Sequence, residues 1–287
     1  MKKGKFFKFL GIAALGSLLL TGCGGEKNTQ SNADEPEEAA ELNVFIAASL
    51  SDVMGEIANV YNETHPNVKI NFNADSSGTL MTQIQEGFEC DIFFSAAQKQ
   101  MDTLEKDGLI VGDTRKNVVN NQVCVVTYKG SGSKVTGLSN IGDAKSIALA
   151  DGSVPVGKYT RQAMVASKLL SEAEDVSKIT TQEISDALGG VEISEQGNVS
   201  KVRTAVIEGS CEVGTVYYSD TYGFESDLEI IEKVSYELTG DVIYPVCRIK
   251  NDKADEAKNQ AADAFYEFII SDEAKAIFDK YLFDTNV

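Results

Sequence analysis

The sequence has no tryptophan and a single histidine, His65. That leaves little room for a His-rich metal site or a His-centred catalytic network. There is no Gly-x-Ser-x-Gly, no His-Glu-x-x-His and no P-loop ending in Ser or Thr, so the common hydrolase and nucleotide-binding signatures are absent. An exported hydrolase, the alternative of a different class, would have to use His65. That residue lies in Thr64-His65-Pro66, just after a predicted helix, and reads as solvent-facing. Basic residues are also scarce. Lys+Arg number 26 against 44 Asp+Glu, giving a net charge of −18 and a pI of about 4.5. Nucleic acid and anionic lipid headgroups select basic surfaces, so neither is expected as a partner. Cysteines are few and widely spaced. Beyond Cys23 they are Cys90, Cys124, Cys211 and Cys247, separated by 34, 87 and 36 residues, with no CxxC or metal knuckle. Cys124 and Cys247 sit in β-rich apolar runs and read as buried thiols. No metal cation is expected.

What is present begins with an address. Lys2, Lys3, Lys5 and Lys8 precede an uncharged apolar stretch from Phe9 to Leu20, too short for a comfortable membrane span. It ends in Leu20-Thr21-Gly22-Cys23, which resembles the bacterial lipobox, where the cysteine is lipidated. Residues 1–22 are therefore expected to be a lipoprotein signal peptide and Cys23 a lipid anchor. Residues 23–41 form a polar, small-residue tether with almost nothing to bury. The product would be exported and held on the outer face of the cell membrane. Removing residues 1–22, which carry four lysines and no acid, leaves 44 acidic against 22 basic residues, a balance of −22.

The body alternates strand and helix patterns. Residues 42–48 are a short apolar run suited to a buried strand. Residues 52–63 carry Val53, Met54, Ile57, Val60 and Tyr61 at helical spacing. Strands are predicted at 68–72, 90–94, 122–128, 146–150, 212–218, 230–234 and 242–249. Helices are predicted after Ser76-Ser77-Gly78, at 99–106, from about Lys158 to Leu170, after Asn198, and at 254–270 and 273–281. This alternation predicts mixed, mostly parallel sheets flanked by helices. The length favours two α/β lobes with a cleft between them over one large sheet.

Four strand-to-helix transitions place small or capping residues where free backbone N–H groups emerge: Ala48-Ser49-Leu50, Ser76-Ser77-Gly78, Pro155-Val156-Gly157 and Asn198-Val199. A helix start offers such donors with a favourable dipole, which suits an anion. Any one of them is also an ordinary helix cap, and only their meeting at one cleft would make a site.

These residues carry a family resemblance. Phe45-Ile46-Ala47-Ala48-Ser49-Leu50, Ser76-Ser77-Gly78-Thr79-Leu80, Cys90-Asp91-Ile92-Phe93-Phe94-Ser95-Ala96, Val154-Pro155-Val156-Gly157 and Gly214-Thr215-Val216-Tyr217-Tyr218-Ser219-Asp220 together resemble the substrate-binding proteins of molybdate ABC importers, over about residues 42–284. The resemblance implies a two-lobed type II periplasmic-binding-protein fold that closes on its ligand like a hinge. Lobe one would comprise 42–121 plus 242–287, and lobe two 122–241. It also implies a tetrahedral oxyanion ligand, molybdate or tungstate, held by the hydroxyls of Ser49, Ser77 and Tyr217 and the main-chain amides of Val156 and Val199. The ligand is itself a metal oxyanion, so no cofactor is implied. An ABC permease in the membrane would be the partner, the lipid anchor the sole membrane contact, and the chain a monomer without enzymatic activity.

Departures from the family pattern are Val156 where Ala is usual, Asn198 where Asp is common, and Gly78 where Ser is common. Such a donor set suits molybdate and tungstate, which are fully deprotonated at neutral pH and only accept hydrogen bonds. Sulfate is a further alternative ligand for the same fold, and so is phosphate. Protonated phosphate needs an acceptor, and Asp75 and Asp151 lie near two of the turns, where they read as solvated turn acids.

Overall fold

A computed structural model describes residues 39–287. The expected signal segment, Cys23 and the tether up to residue 38 lie outside the described residues. Two five-stranded mixed sheets organise the rest. The first contains β1 (Ala40–Ala47), β2 (Val68–Asp75), β3 (Ile92–Phe94) and β4 (Lys116–Asn121). The second contains β5 (Val123–Tyr128), β6 (Ser146–Ala150), β7 (Glu192–Gln196), β8 (Val213–Tyr217) and β9 (Leu228–Lys233). The last strand, β10 (Val242–Arg248), returns to the first sheet. The strand orders are β2-β1-β3-β10-β4 and β7-β6-β8-β5-β9. In each sheet one strand contributed by the other end of the lobe runs against its neighbours. These are β10, antiparallel to β3 and β4, and β5, antiparallel to β8 and β9. The architecture is the two-lobed type II fold.

The helices are α1 (Ser51–Thr64), α2 (Ser77–Gln85), α3 (Gln98–Lys106), α4 (Pro155–Ala166), α5 (Thr181–Ala187), α6 (Val199–Ile207), α7 (Tyr236–Thr239), α8 (Glu256–Ile269) and α9 (Asp272–Lys280). In α1 the buried residues are Val53, Met54, Ile57, Ala58 and Tyr61, one helical stripe, as the spacing requires. Both faces of the first sheet are covered. Along β1, Leu42, Val44 and Ile46 join the main core with Phe265 and Ile269 of α8, while Phe45 joins Leu80, Met101 and Leu104 from α2 and α3. Each such side chain, fully buried, contributes roughly 1.5–3 kcal/mol.

Several boundaries differ from the sequence reading. Strand β1 takes in Ala40 and Glu41, assigned above to the tether, because their backbones pair with Val68 and Lys69. Helix α4 starts at Pro155, not Lys158. Proline lacks the N–H that a first helical residue could not use, so it suits that position. The same helix ends by Ser167, since Lys168 turns left-handed at φ 65°. Strands β4 and β7 and helices α5 and α7 were not foreseen. β7 is an edge strand, and Glu-Ile-Ser-Glu-Gln carries too little apolar character to be read as one. The four cysteines of the described residues are buried and unpaired. Burial pushes the Cys124 and Cys247 thiols up to about 12, leaving them unreactive.

Strand register carries the fold into the site. Ala47 pairs with Asp75 at the carboxyl ends of β1 and β2, so the turns that follow start side by side. Ala150 pairs with Gln196 at the ends of β6 and β7, which does the same for α4 and α6. Helix α4 begins unusually close to its strand. A Cβ on Gly157 would sit 2.1 Å from the Asp151 carbonyl oxygen and 2.4 Å from that of Ala150. Gly157→Ala should therefore lower stability by about 1–3 kcal/mol, read as a reduced urea midpoint at unchanged slope. A wild-type midpoint would show that the start of α4 can move off the strand.

Candidate functional site

The four transitions meet. One cavity, with about 210 Å³ of atom-free space, is lined by Ala48 and Ser49 before α1, Ser76 and Ser77 at α2, Pro155 and Val156 at α4, Asn198 and Val199 at α6, and Tyr217 at the end of β8. Its wall therefore draws on both sheets' strand ends, the usual place for a ligand in open α/β sheets. Ser49, Ser77, Val156, Val199 and Tyr217 are all brought together there, and all are at least nine-tenths buried. No Lys or Arg lines the cavity.

The local chemistry of each residue follows from its element. Ser76 is the side-chain cap of α2; its Oγ accepts from Thr79 N–H at 3.1 Å, so it is spent on the helix. Ser77 Oγ accepts the Ala96 N–H at 2.9 Å, which leaves the Ser77 hydrogen free to donate. Ser49 Oγ lies 2.9 Å from the Tyr244 hydroxyl. Asn198 caps α6 by accepting from Lys201 N–H at 3.0 Å. Val199 follows as the first residue of α6, and Val156 as the second of α4, so neither N–H has an intrahelical partner. Tyr217 is 1% exposed, and its hydroxyl makes no close hydrogen bond among the described residues, with the Tyr244 hydroxyl nearby. Burial pushes its pKa well above 10, so it stays a donor.

Asp75 also lines the cavity, half-buried rather than free in solvent. Its Oδ1 accepts from Ser76 N–H at 2.7 Å and from Asn198 Nδ2 at 3.1 Å. The second bond joins the last residue of β2 to the cap of α6, and so ties one sheet's side of the cavity to the other's. Ser200 Oγ to Ala48 O, at 3.4 Å, and Arg203 to Asp52, at 3.6 Å, cross in the same way. Asp151 does not line the cavity. Burial works to raise its pKa, but hydrogen bonds from Ser153 hold it below the usual carboxylate range.

A supporting layer was not foreseen. Arg161 is 1% exposed, and it donates to Ala150 O, Gly157 O and Ile179 O, which pins the turn carrying Val156. Tyr244, Asn121 and Asp220 lie behind Ser49 and Tyr217. Tyr244 and Asn121 sit in runs with no motif of their own and only their distant partners reveal them, while Asp220 closes the motif that carries Tyr217 but was given no role.

A small cavity lined by hydroxyl and helix-start donors between two α/β lobes defines a ligand binder of the periplasmic-binding type. Residues 42–284 match the family model of bacterial extracellular solute-binding proteins, and the chain belongs to that family. It is accordingly a solute-binding protein of the ABC-transporter class and not an enzyme. It is 31% identical over 274 residues to YvgL of Bacillus subtilis, named as a candidate ABC transporter substrate-binding lipoprotein, covering 95% of this chain and 96% of that one. It is 29% identical over 202 residues, 70% of each chain, to the molybdate-binding protein ModA of Mycobacterium tuberculosis. Among solved structures it resembles the substrate binding domain of a candidate molybdenum ABC transporter from Clostridium difficile. That match has a TM-score of 0.61 and 30% identity, over 86% of this chain and all of that one.

Behind Tyr217, the buried Asp220 accepts the Tyr217 N–H at 2.9 Å. Burial raises this carboxyl from 3.8 to about 7. The folded protein thus holds the proton more tightly than the unfolded chain, so stability falls as pH rises from about 4 to about 7. Asp220→Asn keeps an acceptor for Tyr217 N–H and removes the titration. Urea unfolding at stepped pH should show the variant gaining on the wild type across that window, by a few kcal/mol at most. Parallel profiles for the two proteins would contradict this.

Proposed function

We propose that this chain captures molybdate, and tungstate with it, outside the cytoplasm and delivers it to an ABC importer. The single observation behind this is that hydroxyls and helix-start amides from four separate transitions surround one small cavity containing no Lys or Arg. Ser49, Ser77 and Tyr217 would donate through their hydroxyls, and Val156 and Val199 through their amides. A hydrogen bond to a charged group is worth roughly 1.5–3 kcal/mol, so such a set can hold a dianion after the entropy of binding is met. Molybdate and tungstate are nearly alike in size and charge, so the same donors serve both. The names of the relatives support the ligand class.

In this reading the lobes are 42–121 plus 242–287 and 122–241. They open and close about the crossovers after Asn121 and before Val242. The closed form docks as a monomer on a membrane permease. Cys23, lipidated, holds the protein at the outer face of the membrane, as the lipoprotein name of the Bacillus relative supports.

A second reading, hydrogenphosphate, draws on Asp75, the one carboxylate in the cavity wall. Its Oδ1 already accepts two hydrogen bonds, which weighs against it. Calorimetry with molybdate, tungstate, sulfate and phosphate at one pH separates the readings. Tight binding of the first two is expected; binding of phosphate alone, or of none, would sink the proposal. Ser49→Ala with Ser77→Ala should weaken molybdate binding at least 100-fold, two charged hydrogen bonds at the values above, without unfolding the protein. Unchanged affinity would remove both serines from the site.

A further inference from the structure

The groups behind Ser49 constrain the direction of its hydrogen bond. Asn121 ends β4, next to the crossover between the sheets. Its Oδ1 accepts the Gln122 N–H at 2.9 Å, and the Ser219 N–H points at the same oxygen from 3.4 Å. Backbone N–H groups only donate, so this fixes the amide's orientation. Its Nδ2 must then face Ser219 Oγ at 2.8 Å and Tyr244 Oη at 3.2 Å. Nδ2 also only donates. Tyr244 Oη is therefore an acceptor toward Asn121, and its single hydrogen is available to Ser49 Oγ, 2.9 Å away, where either oxygen can donate. With Tyr244 donating, the Ser49 hydrogen is released toward the cavity.

Burial supports the relay. Tyr244 is 0% and Asn121 2% exposed, so water does not compete for these bonds. Burial also pushes the Tyr244 hydroxyl well above 10 and keeps its hydrogen in place. Ser77 is oriented by a shorter route, since its oxygen accepts the Ala96 N–H and its hydrogen is left to donate.

We propose that Asn121 and Tyr244 are positioning residues that fix Ser49 as a hydrogen-bond donor to the bound anion. This rests on the oxyanion reading above. The relay also reaches Ser219, which follows β8 in the second sheet, so the ordering of Ser49 spans the crossover between the lobes.

A double-mutant cycle tests the relay. Tyr244→Phe should weaken molybdate binding about tenfold, the value of one such bond. In a Ser49→Ala background the same change should alter affinity by less than about twofold, because its route is gone. An equal loss in both backgrounds would overturn the proposal and leave Tyr244 a packing residue. Should the wild type bind sulfate or phosphate in place of molybdate, the ligand reading falls and the cycle is run with that anion. Neutron diffraction from deuterated, ligand-free crystals gives a reading independent of any ligand. The Tyr244 deuterium is expected on the line to Ser49 Oγ, with the Ser49 deuterium turned into the cavity. A Ser49 deuterium lying on Tyr244 Oη would refute the assignment.

Discussion

The first N–H groups of a helix have no partner within it, and burying them unpaired is unfavourable by roughly 1–3 kcal/mol each. That constraint governs the structure around the cavity. Four helix starts are held at the ends of strands whose registers align them, Ala47 with Asp75 and Ala150 with Gln196. Their side-chain caps satisfy some donors: Ser76 takes Thr79 N–H, and Asn198 takes Lys201 N–H. The donors nearest the cavity are the ones the caps leave over. Local sequence serves the same end. Pro155 has no N–H to orphan, and Gly157 lets α4 approach β6.

The side chains around the cavity follow the same logic one layer out. A serine hydroxyl can donate or accept, so by itself it does not discriminate. Its hydrogen is turned toward a ligand when another group donates to its oxygen. Ala96 N–H does this for Ser77, and the Tyr244 hydroxyl is placed to do it for Ser49. Tyr217 arrives there by a different means: its hydroxyl is buried with no close hydrogen bond among the described residues, and Asp220 anchors its backbone. The hydroxyl and amide donors of the wall thus act in one chemical sense although their residues come from many parts of the chain.

How much of this the sequence discloses depends on range. The buried strands and amphipathic helices were legible, because apolar spacing is a local signal; β1, β6, β8 and α1 lie within a few residues of expectation. Strand β7 was not, since an edge strand needs only one half-buried face. The helix starts were legible as capping sequences, and the resemblance named the residues within them. Their convergence was not legible, because register is set by pairings tens of residues apart. Asp75 read as a turn acid because nothing local shows Asn198, 123 residues away, bonding to it. Asn121 and Tyr244, also separated by 123 residues, were missed for the same reason.

The acidity of the chain bears on how an anion can be held. With 44 acidic residues against 26 basic ones, the surface repels anions, although salt screens each distant charge beyond about 10 Å. A lysine in the cavity would offset that repulsion, but it would itself need desolvation and would favour anions of any shape. Fixed N–H and O–H donors behave differently. Each rewards an oxygen at one position, so together they favour an anion whose oxygens fill all of those positions at once. The one buried cation near the turn, Arg161, is kept from that role. Three backbone carbonyl oxygens, Ala150, Gly157 and Ile179, occupy its guanidinium, and its charge stiffens the start of α4. Charge is thereby used to set geometry, and geometry rather than net charge determines which anion fits.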